Sequence, residues 1–442
     1  MAGFRQDLIV TLHAVTRTTE RAAKRRGVGY FLPALFVDRF TKLGGIDPQE
    51  FAAQLDGCRS FDDEAWAGYW SAFADQQLAG ADAALARLGG PSVAQILDGD
   101  RDAVVEQLRS VLSPASQLFT DRSRQAAAAF EKAHPEHTDS ATAVDALVQA
   151  MTYLFAASWP GWTTRRLTAY AKSNRVFDIL IRTFAPAMGI DVDTFRIQIN
   201  GDQIVGYAIV PAGVDRAPAI LMTNGLEGTI AEIALPALRH RPADAAVFIM
   251  EMPGTFAYRN PLSLDSENYY RAVIDHMASH PRIDSDRLAM HGTSFGAHWS
   301  TRMATRDKRL KAVVSNGGLY HHAFKSASTF GMPEIMLWTL EKTLAAKNPM
   351  DLARKLGAFS VQDAFGDIAM PILAVNGDSD TLVPTRDTVE LAHAAPKGEL
   401  KLYPDDDHCA MAHYDEAFAD AIAWIAPYLD IALSTSNETS ES

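Results

Sequence analysis

The stretch Arg287-Leu288-Ala289-Met290-His291-Gly292-Thr293-Ser294-Phe295-Gly296-Ala297 decides the fold. A short apolar run, Arg287 to Met290, leads into Gly-x-Ser-x-Gly, and a helix-like segment, Ala297 to Thr305, follows. The five-residue pattern alone is a weak signal. Its flanks supply the strand–turn–helix setting of a nucleophile elbow. The serine of such a turn is strained, so bulky side chains two residues to either side would collide with the neighbouring strand and helix. The turn exposes the hydroxyl and aims the amides that follow, at a helix N-terminus, toward developing negative charge.

The same texture extends outward from this stretch. Thr194 to Ile199 alternates, Asn200-Gly201 signals a hairpin turn, and Gln203 to Val210 alternates again. Short apolar runs then recur between helical segments: Ala217–Thr223, Ala245–Met250, Arg287–Met290, Leu310–Val314, Pro371–Val375 and Glu399–Leu402. Strands alternating with helices predict an α/β fold, a mostly parallel sheet with helices on both faces. The helical texture between Val314 and Pro371 is too long for a plain crossover and predicts a helical cap insertion at about residues 319–366.

Before about residue 190 the chain reads as helical, with no strand signal of any strength and no internal repeat. Phe61-Asp62-Asp63-Glu64-Ala65-Trp66 opens with acidic residues suited to a helix N-terminus, and Trp66 and Trp70 share one helix face. Residues 151–155 and 165–184 read as further helices, split by Ser158-Trp159-Pro160-Gly161-Trp162. The expected organisation is a helical N-terminal lid domain over 1–190, a catalytic α/β domain over 191–432 and a disordered tail over 433–442.

At 442 residues, with 48% apolar and 21% charged residues, the chain has ample material for a core. The formal net charge of −13 disfavours phosphate backbones, so no nucleic-acid partner is expected. No apolar run approaches the roughly 20 residues of a membrane span, and the opening segment, with Asp7 inside it, does not read as a signal peptide. Two cysteines, Cys58 and Cys409, cannot build a disulfide framework. No membrane partner and a cytoplasmic location are expected.

A serine hydroxyl needs a base, and the base needs an orienting acid. The run Pro371 to Val375 leads into Asn376-Gly377-Asp378-Ser379-Asp380, where Asp380, further around the turn, is the expected acid and Asp378 a turn-former. His408 lies directly beyond the last strand; His413 falls at the start of the final helix and His393 within a helical stretch. The chain order Ser294, Asp380, His408, each after its own strand, selects His408 as base. Asp405, Asp406 and Asp407 beside it are expected to form a solvated acidic loop, not a metal site.

The oxyanion donors are expected from the backbone amides of Phe295 and of Leu226, in the loop Thr223-Asn224-Gly225-Leu226-Glu227-Gly228. An ionised Glu227 would oppose the developing charge. Either it faces solvent, or its pKa is raised and it serves as proton donor or substrate clamp.

The elbow, Asn376–Pro384 and His408–His413 together resemble the α/β-hydrolase superfamily. The resembling branch holds the FrsA-like esterases, the pseudooxynicotine hydrolases and the fungal yellowish-green polyketide-shortening hydrolases. It covers most of residues 190–430, and Phe61–Trp70 and Thr152–Gly161 extend it loosely to that branch's lid domain. Those relatives commonly carry Gly-Gly-Leu-Asp/Glu in the loop after the third strand, where this chain has Asn224-Gly225-Leu226-Glu227. Met252-Pro253-Gly254-Thr255-Phe256-Ala257 resembles the family's Asp-x-Pro-Gly-x-Gly loop without its Asp and last Gly. The resemblance implies an α/β-hydrolase fold, a Ser–Asp–His triad, no cofactor and often cleavage of a carbon–carbon bond next to a ketone. It also implies a catalytic glutamate in the loop that Glu227 occupies.

The expectation is a serine hydrolase acting on a small apolar or aromatic carbonyl compound. A carboxylesterase or lactonase would use the same triad, and a non-catalytic binding module would have lost a member of it. Trp159, Trp162 and Tyr258 are candidate substrate-binding residues, with core packing as the other role open to such aromatics. The partners expected are a small-molecule substrate and at most a second copy of the chain in a homodimer; no metal is expected.

Overall fold

The computed structural model describes residues 2–256, 258–325 and 330–432. The tail expected over 433–442 lies outside them. Eight strands form one sheet in the order β1-β2-β4-β3-β5-β6-β7-β8. They are β1 (Ile190–Ile199), β2 (Asp202–Pro211), β3 (Ala217–Thr223), β4 (Ala246–Met250), β5 (Ile283–Thr293), β6 (Leu310–Asn316), β7 (Ile372–Gly377) and β8 (Gly398–Tyr403). β1 and β2 pair antiparallel, as do β2 and β4, and every other pairing is parallel. The β1–β2 hairpin turns on Asn200 and Gly201, both at positive φ, as a tight two-residue turn requires.

β3 and β4 are buried along their whole length, and alternate residues feed two hydrophobic clusters. Ala219, Leu221, Phe248 and Met290 pack with the helices Glu267–Ser279 and Phe295–Ala304 and with the helices of the 319–366 segment. Ile220, Met222, Val247 and Ile249 pack on the other face, in a cluster that runs without a break into the helices before residue 190. Those helices have their own centre in the pair Asp63–Arg87 and Thr138–Ser158. Trp66 and Trp70 are fully buried there, and the Trp66 indole donates to the Ala156 carbonyl at 2.8 Å. Thr163 caps the next helix, Thr164–Phe184, by accepting from the Arg166 amide, so the chain breaks after Ser158 and restarts there.

The segment between β6 and β7 contains helices Glu334–Thr343 and Pro349–Gly357. The N-terminal helices reach it directly: Arg17 pairs with Glu341 at 2.6 Å, and Glu334 accepts from the Thr19 amide at 3.1 Å. No helix among the described residues is long and apolar enough to cross a membrane.

Candidate active site

β5 ends at Thr293 and the next helix starts at Phe295, which leaves Ser294 alone at the turn with φ 58° and ψ −126°. The Ser294 amide donates to the Asn316 carbonyl at 2.7 Å, pinning the strained residue to the end of β6. A side chain at Gly292 would run into the backbone of Gly296, so the flanking glycines are a packing requirement of the turn.

Three strand ends bring the sequence-selected residues together. Ser294 Oγ lies 2.9 Å from His408 Nε2, and His408 Nδ1 lies 2.8 Å from Asp380 Oδ2. Asp380 Oδ1 accepts from the Leu382 and Val383 amides at 2.8 Å each, and Asn376 Nδ2 donates to Oδ2 at 2.8 Å. Asp378 is exposed and accepts from the Asp405 amide at 2.9 Å, the turn-forming role expected of it. Burial works against a charged His408, but Asp380, with Cys409 adding, outweighs it and raises the His408 pKa well above the ordinary value. The sequence did not single out Asn376. Its amide nitrogen holds Asp380 while its oxygen accepts from the Cys409 amide at 2.9 Å, so one side chain ties the acid's loop to the base's loop.

The acidic loop differs from expectation. Asp405 is exposed, but Asp406 is buried and accepts from Ala412 N, His413 N and His413 Nδ1 at 2.8–3.0 Å. Asp407 accepts from the Thr381 and His408 amides. Two of the three carboxylates are therefore spent on shaping the turn that presents His408, not on solvation. No cluster able to hold a metal ion occurs among the described residues.

The loop after β3 closes against the nucleophile. A Cβ on Gly225 would lie 2.6 Å from Ser294 Cβ and 2.7 Å from the Phe295 nitrogen, so only glycine lets this backbone come so close. Phe295 opens its helix, so its N–H has no partner within it. Asn224 donates to the Thr229 carbonyl at 2.6 Å and staples the loop shut.

Glu227 does not face solvent. It is 2% exposed, sits at φ 50°, and its Oε1 has no hydrogen-bond partner. Arg39, from the helix Leu35–Gly44, approaches at 3.8 Å while making two hydrogen bonds, 2.5 and 2.9 Å, to Glu232. Burial pushes the Glu227 pKa up to about 8, against the pull of Arg39 and the smaller pull of His408. Lys42, one turn on in the same helix, donates to the Met411 and Ala412 carbonyls of the histidine loop. Sequence reasoning missed Arg39 and Lys42: a cation 193 residues from its partner leaves no local pattern.

The proposed pocket aromatics fall in three places. Trp159 is core, 1% exposed, with its ring 4.9 Å from Phe36 and 5.5 Å from Trp66, although its indole N–H is turned toward Glu227 without reaching hydrogen-bond geometry. Trp162 is half-buried and packs edge-on against Trp338 at 6.2 Å, joining the N-terminal segment to the 319–366 helices. Tyr258 lines a different cleft, beside Glu251. Glu251 directly precedes the Met252 loop, and its Oε1 accepts from the Ile230 amide at 3.2 Å.

A sheet of this order, with a serine, an aspartate and a histidine converging where parallel strands end, is the architecture of an α/β-hydrolase. The chain belongs to the FrsA-like esterase family, whose model matches residues 113–429. Among curated relatives, Esterase FrsA of Escherichia fergusonii is 25% identical over 237 residues, which cover 51% of this chain and 56% of the esterase. The 2,6-dihydropseudooxynicotine hydrolase of Paenarthrobacter nicotinovorans is 24% identical over 237 residues, 52% of this chain and 63% of that enzyme. The chain thus spans little more than half the length of the curated relatives it matches. Among solved structures, 2,6-dihydroxy-pseudo-oxynicotine hydrolase gives a TM-score of 0.57 at 20% identity, covering 78% of this chain and 95% of that one. AbyA5 gives 0.57 at 20% identity, covering 72% and 94%. At such identities these two structures bear on the fold.

Proposed function

We propose that the protein is a serine hydrolase that forms an acyl-enzyme on Ser294 and cleaves a carbon–carbon bond next to a ketone in a small apolar or aromatic substrate. The observation that carries the hydrolase reading is the unbroken relay from Ser294 Oγ through His408 to Asp380, with both links under 3 Å. His408 takes the Ser294 proton as Oγ attacks the carbonyl, and the amides of Leu226 and Phe295 receive the oxyanion. Collapse expels a ketone-stabilised carbanion, to which the imidazolium returns the proton. Water, deprotonated by His408, then releases the acid and restores Ser294.

Glu227 supports the carbon–carbon reading. A carboxyl held at a pKa of about 8 is protonated at neutral pH and can donate to the second carbonyl of a β-diketone, fixing one tautomer before attack. The alternative, a carboxylesterase or lactonase, has its own support: Arg39 at 3.8 Å favours an ionised Glu227, which would leave that side chain a structural anchor. Residues 1–190 act in this reading as a lid, residues 191–432 as the catalytic domain and the 319–366 helices as a cap. The two buried free cysteines favour the cytoplasm, and a second copy of the chain is the one macromolecular partner proposed. A fluorophosphonate probe should label Ser294, and purified protein should turn over an aryl β-diketone faster than a matched aryl ester. Labelling at another serine would remove the nucleophile, and ester-only turnover would leave the esterase.

A further inference from the structure

Where the N-terminal helices meet the sheet, a cleft of about 120 Å³ lies between the helix Thr164–Phe184, β2 and the end of β4. It contains none of the proposed triad. Its base is the Glu251 carboxylate, 3% exposed. Its walls are the rings of Tyr170, Phe177, Tyr207 and Tyr258, and its mouth carries half-buried Asn174 and exposed Gln203.

The walls are fixed by packing. Tyr170 stacks on Phe256 at 4.4 Å and 6°, and Phe177 meets Tyr207 edge-on at 5.4 Å. The tyrosine hydroxyls are already committed as donors: Tyr170 to Glu251 Oε2 at 2.7 Å, Tyr207 to Asp178 at 2.9 Å and Tyr258 to the Glu251 carbonyl at 3.3 Å.

The charge is what remains unmatched. Asp178 has a cation, Arg182, at 2.8 Å. Glu251 has none: no Lys, Arg or His among the described residues pairs with it, and its only side-chain partners are a phenol and an amide. Burial accordingly pushes its pKa up to about 7, which the two hydrogen bonds only partly offset. A buried carboxylate without a counter-charge is costly, and protein interiors normally pair it.

We propose that this cleft binds a small primary ammonium ion, whose charge completes Glu251 and whose short alkyl part lies against the tyrosine rings. Aromatic faces attract cations, and a charge-assisted hydrogen bond to the carboxylate fixes the headgroup. At about 120 Å³ the cleft is small and takes only a small ion. An alkali ion fits less well. It needs a shell of oxygens, and rings make up most of these walls. The proposal is independent of the reaction assigned to Ser294.

The test is calorimetric titration of the full chain with ethylammonium chloride, against sodium and potassium chloride at equal ionic strength. Saturable binding of ethylammonium alone is expected. Glu251→Gln should weaken it by about tenfold or more, the worth of one hydrogen bond to a charged group. Gln203→Lys, at the exposed mouth, should abolish it by placing a tethered ammonium in the cleft, and it gives the answer if Glu251→Gln fails to fold. No saturable binding, equal binding of sodium or potassium, or ethylammonium binding that survives the variants would overturn the proposal.

Discussion

The loops after β7 and β3 each bury one carboxylate within electrostatic reach of His408, and they treat it in opposite ways. Asp380 receives two backbone amides, the Asn376 amide and the His408 imidazole, all at 2.8 Å, so its oxygens are fully engaged in one arrangement. Glu227 has an oxygen with no partner and a cation at 3.8 Å that is mainly engaged with Glu232. The first loop holds a charge in one place. The second leaves a protonation state open, and its counter-ion comes from the N-terminal helices. The Ser294–His408–Asp380 geometry is thus an affair of the sheet's strand ends, while the feature proposed to select a reaction lies where the sheet meets the N-terminal helices.

The sharpest test of the first loop is the nucleophile it serves. Ser294→Ala should lower kcat by roughly 10⁶, the scale found when a triad nucleophile is removed from other serine hydrolases, with unfolding unchanged. Steady-state kinetics beside a thermal melt decide it; a fully active variant would end the triad reading. Next in size is the choice between neighbouring aspartates. Asp380→Asn should cost about 10⁴ in kcat by favouring the wrong imidazole tautomer. Asp378→Asn should stay within a few-fold, because Asp378 is exposed and serves only its turn. A reversal of the two results would move the acid to Asp378.

The second loop predicts a selective loss. Glu227→Gln should depress turnover of a β-diketone by about 10², the usual worth of a positioned acid–base group, while an activated aryl ester changes within a few-fold. The pH profile carries the same contrast. Glu227 is protonated below about 8, so β-diketone turnover should fall as pH rises through that value, and ester turnover should lack that limb. Stability follows the same sign. The folded pKa is raised above the ordinary 4.5, so the contribution is full below 4.5 and is lost as pH rises through about 8. Melting temperatures of the wild type should therefore drop across that window more than those of Glu227→Gln. Equal kinetic losses on both substrates would reduce Glu227 to a shaper of the loop.

The contrast also explains what was legible in the sequence. Ser294, Asp380 and His408 each follow an apolar run, and a rigid sheet converts chain order into position, so the residues could be read from local pattern. The strands were legible for the same reason, down to the Asn200-Gly201 turn. Arg39, Lys42 and Asn376 were not, because each acts through a contact between segments far apart in the chain, and no period or spacing records it. Asp406 was misread for a related reason: three adjacent aspartates look solvated until the backbone folds three N–H and imidazole donors around one of them.

The smallest expected effect separates Trp159 from Trp162. Trp159 is 1% exposed and packed into the core, so Trp159→Ala should cost about 3–5 kcal/mol of stability and confound any kinetic reading. Trp162 is half-buried, and its one ring contact among the described residues is with Trp338, across the joint between the N-terminal segment and the 319–366 helices. Losing that edge-on pair should cost only about 1 kcal/mol. If those two segments close together over the substrate, Trp162→Ala loosens the joint without touching the triad. KM for an aryl substrate should rise a few-fold, kcat should hold, and the melting temperature should move by only a few degrees. Trp338→Ala should reproduce the change, and the double variant should add little, because both single changes remove the same contact. Additive effects, or a loss of stability with unchanged KM, would return Trp162 to ordinary packing and leave the choice of substrate to the loop that holds Glu227.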